Sequence, residues 1–150
     1  MCQNYAFDVT RYARVARDRG DVSQLQPGTI GAEVYDLIDG EVVVNKEGSL
    51  IHWRGKPDGY PAMAIMPVPN SEDAVVLLDY MAGPKVFANL IRMTPEGRVV
   101  WRAAPPEQSG SDAFVECRWR GGAFMANSWS GYLLEIDLAT GRPTSSEFVK

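Results

Sequence analysis

The sequence predicts a mainly β protein, with antiparallel meander or propeller-like sheets in about three four-stranded units behind one N-terminal α-helix. Three observations predict it. Apolar and polar residues alternate over short runs, as in Val115-Glu116-Cys117-Arg118-Trp119 and Leu134-Glu135-Ile136-Asp137-Leu138, which is the two-residue period of half-buried strands. Glycine-bearing turns such as Asp39-Gly40 and Gly121-Gly122 separate the runs, because glycine supplies the positive φ that tight hairpins require. One hairpin also recurs: Leu90 to Arg98 (LIRMTPEGR) matches Leu134 to Arg142 (LEIDLATGR), with Gly97 and Gly141 in equivalent places. A repeat of about 40–45 residues with four strands per unit is the signature of propeller blades. An ordinary β-meander with generic turns fits the same pattern.

Residues 1–28 form the predicted helical segment. Asp8 caps the helix, Gly20 ends it, and Val9, Tyr12 and Ala16 make its apolar stripe. Arg11, Arg14, Arg17 and Arg19 lie off that stripe as a solvated basic face. The first β unit covers 32–66: strands over 32–38, 41–45, 49–54 and 60–66, joined by Asp39-Gly40, Lys46-Glu47-Gly48 and the loop 55–59. The stretch 67–73 holds two prolines that a central strand does not tolerate. The second unit covers 74–102: an apolar run over 74–80, a strand over 86–93, the turn Thr94-Pro95-Glu96-Gly97 and a strand over 98–102. A polar loop spans 104–112. The third unit covers 114–149 and closes with the turn Ala139-Thr140-Gly141-Arg142 and a last strand.

Composition limits function. At 150 residues the chain is one domain's worth, and 45% apolar content supports a core without disulfides or metals. A net charge of −4 argues against a nucleic-acid binder. No run approaches the roughly 18 apolar residues of a membrane helix. The opening Met-Cys-Gln-Asn-Tyr-Ala-Phe-Asp lacks the basic start and apolar stretch of a secretory signal. With only Cys2 and Cys117, the expected compartment is a reducing cytoplasm. His52 is the single histidine and no Cys-x-x-Cys pair exists, so no metal site is expected. Phosphate-binding loops of the Gly-x-x-x-x-Gly-Lys-Ser/Thr and Gly-x-Gly-x-x-Gly kinds are missing, so no cofactor is expected.

Residues 86–150 resemble a group of short, uncharacterised bacterial β-rich proteins. The likeness lies in Thr94 to Trp101 (TPEGRVVW), Asp112 to Val115 (DAFV), Ala126 to Tyr132 (ANSWSGY) and Ile136 to Arg142 (IDLATGR). The Asp-x-x-Thr-Gly-Arg turn at 137–142 also resembles quinoprotein-like propeller blades. That resemblance implies β-rich architecture; the residues that hold a quinone in those proteins have no match here. The opening Met1-Cys2, with His52-Trp53-Arg54-Gly55 further on, is similar to the abasic-site-crosslinking peptidase family. That likeness implies a Cys2 amine and thiol able to trap an aldehyde. The chain shows neither the later glutamate segment nor the histidine near the end that the family needs, since His52 is the only histidine.

No set of residues forms a complete catalytic motif. The expected binding residues are Asn127, Ser128, Trp129 and Tyr132, with Trp101 and Asp112, because they join amide, hydroxyl, carboxylate and aromatic groups near strand ends. Cys2 is the alternative nucleophile, and Cys117, between Val115 and Trp119 in alternation, reads as a small buried hydrophobe. The leading expectation is a non-enzymatic protein that binds another protein, a toxin or enzyme, as an immunity or inhibitor protein. A carbohydrate-binding module and a Cys2-dependent enzyme or aldehyde trap are the alternatives. A homo-oligomer that completes a ring is a further expectation, since three units leave open edges.

Overall fold

The computed structural model describes residues 34–46 and 50–150. Three antiparallel sheets succeed one another along the chain. Sheet I holds β1 (Val34–Ile38), β2 (Glu41–Lys46) and β3 (Leu50–Gly55) in that order. Sheet II begins with β4 (Ala62–Pro67) and β5 (Ala74–Leu78). After the two-residue β6 (Val86–Phe87), it continues with β7 (Leu90–Met93) and β8 (Val99–Ala103). Sheet III holds β9 (Asp112–Arg120), β10 (Ala123–Ser128), β11 (Tyr132–Ile136) and β12 (Pro143–Phe148). β6 adds to it in parallel, pairing Val86 with Asp112 and Phe87 with Ala113.

Sheet II is apolar on both faces because it serves two cores. Ala74, Val76 and Leu78 of β5 join Tyr35, Val42 and Val44 of sheet I in one cluster. Val75 and Leu77, the alternate residues, join Phe114, Phe124, Ala126, Leu134 and Ile136 of sheet III in the other. A strand buried on both faces reads as a continuous apolar run, and that is what the Ala-Val-Val-Leu-Leu of β5 is.

The last hairpins of sheets I and II share one register, and that of sheet III is one residue longer. Val44 pairs with Trp53, Arg92 with Trp101 and Glu135 with Ser145, and each pair is followed by a bulge. The tryptophans at this position join each sheet to the next. A Cβ on Gly97 would lie 2.2 Å from the Trp53 ring, and one on Gly141 would lie 2.6 Å from the Trp101 ring. Both glycines also hold φ near +80°, at +83° and +74°. Each turn therefore needs glycine twice over, for its backbone angle and for the ring stacked on it. The Trp101 indole N–H also donates to the Leu138 carbonyl at 2.7 Å. Arg92 reinforces this joint, bonding Leu138 O at 2.9 Å while paired with Asp73 at 2.8 Å.

The boundaries differ from the sequence expectation in three places. β4, expected in the first unit, pairs with β5 in sheet II, so sheet I has three strands among the described residues. The expected strand 86–93 breaks into β6 and β7 around buried Asn89. There the Asn89 side chain replaces a strand's backbone: its amide donates to Leu78 O (3.0 Å) and Phe114 O (2.7 Å), and its oxygen accepts from Phe114 N (2.8 Å). Sheet III starts at Asp112, inside the expected loop. The expected N-terminal helix lies outside the described residues. No helix among the described residues is long and apolar enough to cross a membrane.

Candidate binding site

β10 ends at Ser128, and the chain turns through Trp129, Ser130 and Gly131 into β11. Gly131, at φ +100°, permits the turn. The turn is fastened to Asp112, which is 2% exposed. Asp112 Oδ1 accepts from Ser130 N at 2.9 Å and Ala113 N at 3.0 Å. Its Oδ2 accepts from the Ser130 hydroxyl at 2.7 Å and from Glu107 N at 3.0 Å. Ser130 spends its proton on Asp112, so Ser128 donates across the 2.9 Å Ser128–Ser130 contact. Tyr132 N in turn donates to Ser128 Oγ at 3.1 Å, and Trp129 N to Ala113 O at 2.8 Å. Four donors satisfy one buried carboxylate, so this loop is held as firmly as the strands beside it.

The loop presents Trp129, which is 57% exposed. Tyr80 stacks beside it, with centroids 6.1 Å apart and planes 29° from parallel. Lys150 Nζ lies 5.8 Å from the Trp129 ring centroid and donates to Trp129 O at 3.2 Å. Met81, next in sequence to Tyr80, is 77% exposed, with its N–H held by Asp79 Oδ1 at 2.9 Å. Val149 donates its N–H to Gly131 O, and exposed Phe148 packs edge-on against Tyr132 at 5.3 Å. Tyr80, Trp129 and Lys150 thus bring the β5–β6 loop, the β10–β11 loop and the chain after β12 together around one exposed ring.

The expected binding residues thus separate into roles. Ser128, Trp129 and Asp112 come together, with half-buried Tyr132 alongside, its N–H on Ser128. Asn127 points elsewhere, its Oδ1 accepting from Arg118 at 3.1 Å beside Glu116. Trp101 lies in the core between sheets II and III. Cys2 lies outside the described residues. Cys117 is buried beside Met66, and burial pushes its thiol up to about 12, which leaves it neutral and unreactive. His52 faces exposed Glu96 at 3.6 Å. Glu96 sits below the usual carboxylate range, chiefly through its hydrogen bond to backbone. The approach of Tyr80 and Lys150 to Trp129 is not legible in the sequence, because they meet it only in space. No group of three or more His, Cys, Asp or Glu among the described residues is placed to hold a metal ion.

The stacked sheets and their tryptophan joints define a propeller-like β fold. The crystal structure of BamB from Moraxella catarrhalis, a β-propeller, has a similar fold, with a TM-score of 0.53 at 14% identity. The match covers 82% of this chain and 35% of that one, so the chain spans about a third of BamB. The computationally designed Ika8 protein matches with a TM-score of 0.46 at 8% identity, over 77% of this chain and 36% of that one. No curated protein matches. Residues 65–148 match the model of a domain of unknown function, DUF7957, and the chain belongs to that family. The matched residues take in most of sheet II, all but the start of β4, and all of sheet III but not sheet I, so both the Trp101 joint and the Trp129 loop fall inside them.

Proposed function

We propose that this protein is a non-enzymatic binding protein that acts through a protein–protein interface centred on Trp129. One observation carries the reading: a largely exposed tryptophan stands on a loop immobilised by a buried carboxylate. A rigid aromatic anchor loses little freedom on binding, and tryptophan leads the residues that dominate interface energy. Its indole N–H has no protein partner among the described residues and is available to an acceptor on the other side. Inhibition of a toxin or enzyme is the specific form we favour, since the net charge of −4 steers the chain toward a basic partner.

The test is capture from native lysate with the wild-type chain and Trp129→Ala as parallel baits. The reading expects one stoichiometric protein that the wild type retains and Trp129→Ala loses. Equal capture by both baits overturns it. Binding to a glycan array that depends on Trp129, without a protein partner, transfers the site to carbohydrate recognition.

A further inference from the structure

We propose that the β10–β11 turn is a lysine-binding notch, filled by Lys150 in the free protein and by a lysine of the partner in the complex. The inference rests on the reading of Trp129 as a protein interface and names the side chain that the ring receives. The notch begins at Gly131. A Cβ placed there would lie 2.5 Å from Cβ and 2.8 Å from Cδ of Lys150, so the lysine stem occupies the space that this glycine leaves open. The Val149 N–H donates to Gly131 O at 2.8 Å and sets the stem on that floor. Beyond the stem, Lys150 Nζ donates to Trp129 O at 3.2 Å and stands 5.8 Å from the Trp129 ring centroid. A glycine floor, a carbonyl and an aromatic face thus receive an alkyl stem and its ammonium group. These walls are in place before a ligand arrives, since Trp129 N is bonded to Ala113 O and Ser130 to buried Asp112. Trp129 O is the one acceptor that the ammonium meets among the described residues. A single acceptor suits the compact charge of a lysine, whereas an arginine fork needs two acceptors in one plane. The resident side chain is displaceable: Lys150 is exposed and makes no ion pair among the described residues. The net charge of −4 draws the basic partner that supplies the replacement.

Titration of the full chain with N-acetyl-lysine N-methylamide, followed by the Trp129 indole N–H resonance, tests the notch. That resonance is the one missing from the spectrum of Trp129→Leu. In Lys150→Ala the notch is vacated, and the probe moves the resonance to saturation. The wild type binds the probe about tenfold or more less tightly, because the tethered Lys150 competes at high effective concentration. The norleucine analogue, with the same stem and no charge, moves nothing. Lys150→Ala combined with Trp129→Leu loses the saturable response at the Gly131 amide. No saturation in Lys150→Ala, an equal response to the norleucine analogue, or equal affinity in wild type and Lys150→Ala overturns the inference. In the lysate comparison, Lys150→Ala retains more of the partner than the wild type does, and an equal or smaller amount overturns a partner lysine as the occupant. Capture that Trp129→Ala leaves unchanged counts against the interface and not against the notch, so the two readings fail separately.

Discussion

Trp101 and Trp129 belong to neighbouring sheets and share a side chain, and the backbone around them gives them opposite uses. Trp101 lies against a glycine turn of the next sheet, with its indole N–H spent on Leu138 O. Trp129 is lifted from its own sheet by a turn that the Asp112 carboxylate, the serine hydroxyls and the backbone around it hold in place. In the first case the ring holds the structure. In the second the structure holds the ring. The comparison shows that exposure at Trp129 is built: a buried carboxylate, two serines and a glycine keep a large apolar group in water, where the hydrophobic effect alone would bury it.

The joint side of this comparison breaks most easily at Asn89. Replacing it with leucine orphans Phe114 N–H, Phe114 C=O and one bond to Leu78 C=O in the core, at about 1–3 kcal/mol for each group left unsatisfied. Urea unfolding is expected to show a loss of about 3 kcal/mol or more. Gly141→Ala comes next. It sets a Cβ 2.6 Å from the Trp101 ring at φ +74°. Overpacking together with left-handed backbone is expected to cost about 2–4 kcal/mol in the same measurement. Gly121→Ala, where a Cβ meets nothing within 4 Å, pays only for its φ of +55° and is the matched control.

Asp112→Ala sharpens the other side. It removes the acceptor of four hydrogen bonds and frees the Trp129 loop, so Trp129 emission shifts while the cores persist; the stability loss is about 1–3 kcal/mol. The smallest effect concerns Cys117. Its thiol titrates near 9.0 in the unfolded chain and about 12 in the fold. The folded state keeps its proton across that window, so stability is full below pH 9 and falls as pH rises toward 12. Thiol reagents at neutral pH are expected to modify Cys117 only after denaturation.

Much of this architecture was legible in the chain. Strand positions followed from two-residue alternation and glycine turns, and the match of Leu90–Arg98 with Leu134–Arg142 became two bulged antiparallel hairpins whose registers differ by one residue. Alternation reports which face of a strand is buried, not which strand lies beside it. That is why β4 fell into the wrong unit and why the split at Asn89 went unseen: a buried asparagine spells nothing until its partners, 11 and 25 residues away, are in place. The segment 127–132 was recognisable as the most site-like from its mixture of amide, hydroxyl and aromatic groups. Its division into holders and a displayed ring was not, because Asp112, Tyr80 and Lys150 reach it only through the fold.

Urea unfolding of Trp101→Ala and Trp129→Ala, side by side with the wild type, tests the division of roles most directly. A tryptophan that holds two sheets together costs about 3–5 kcal/mol when truncated, whereas an exposed one costs about 0.5 kcal/mol or less. Trp101→Ala is expected to lose most of its stability, and Trp129→Ala to unfold with the wild type. Equal losses in the two variants, or a larger loss at Trp129, would contradict it.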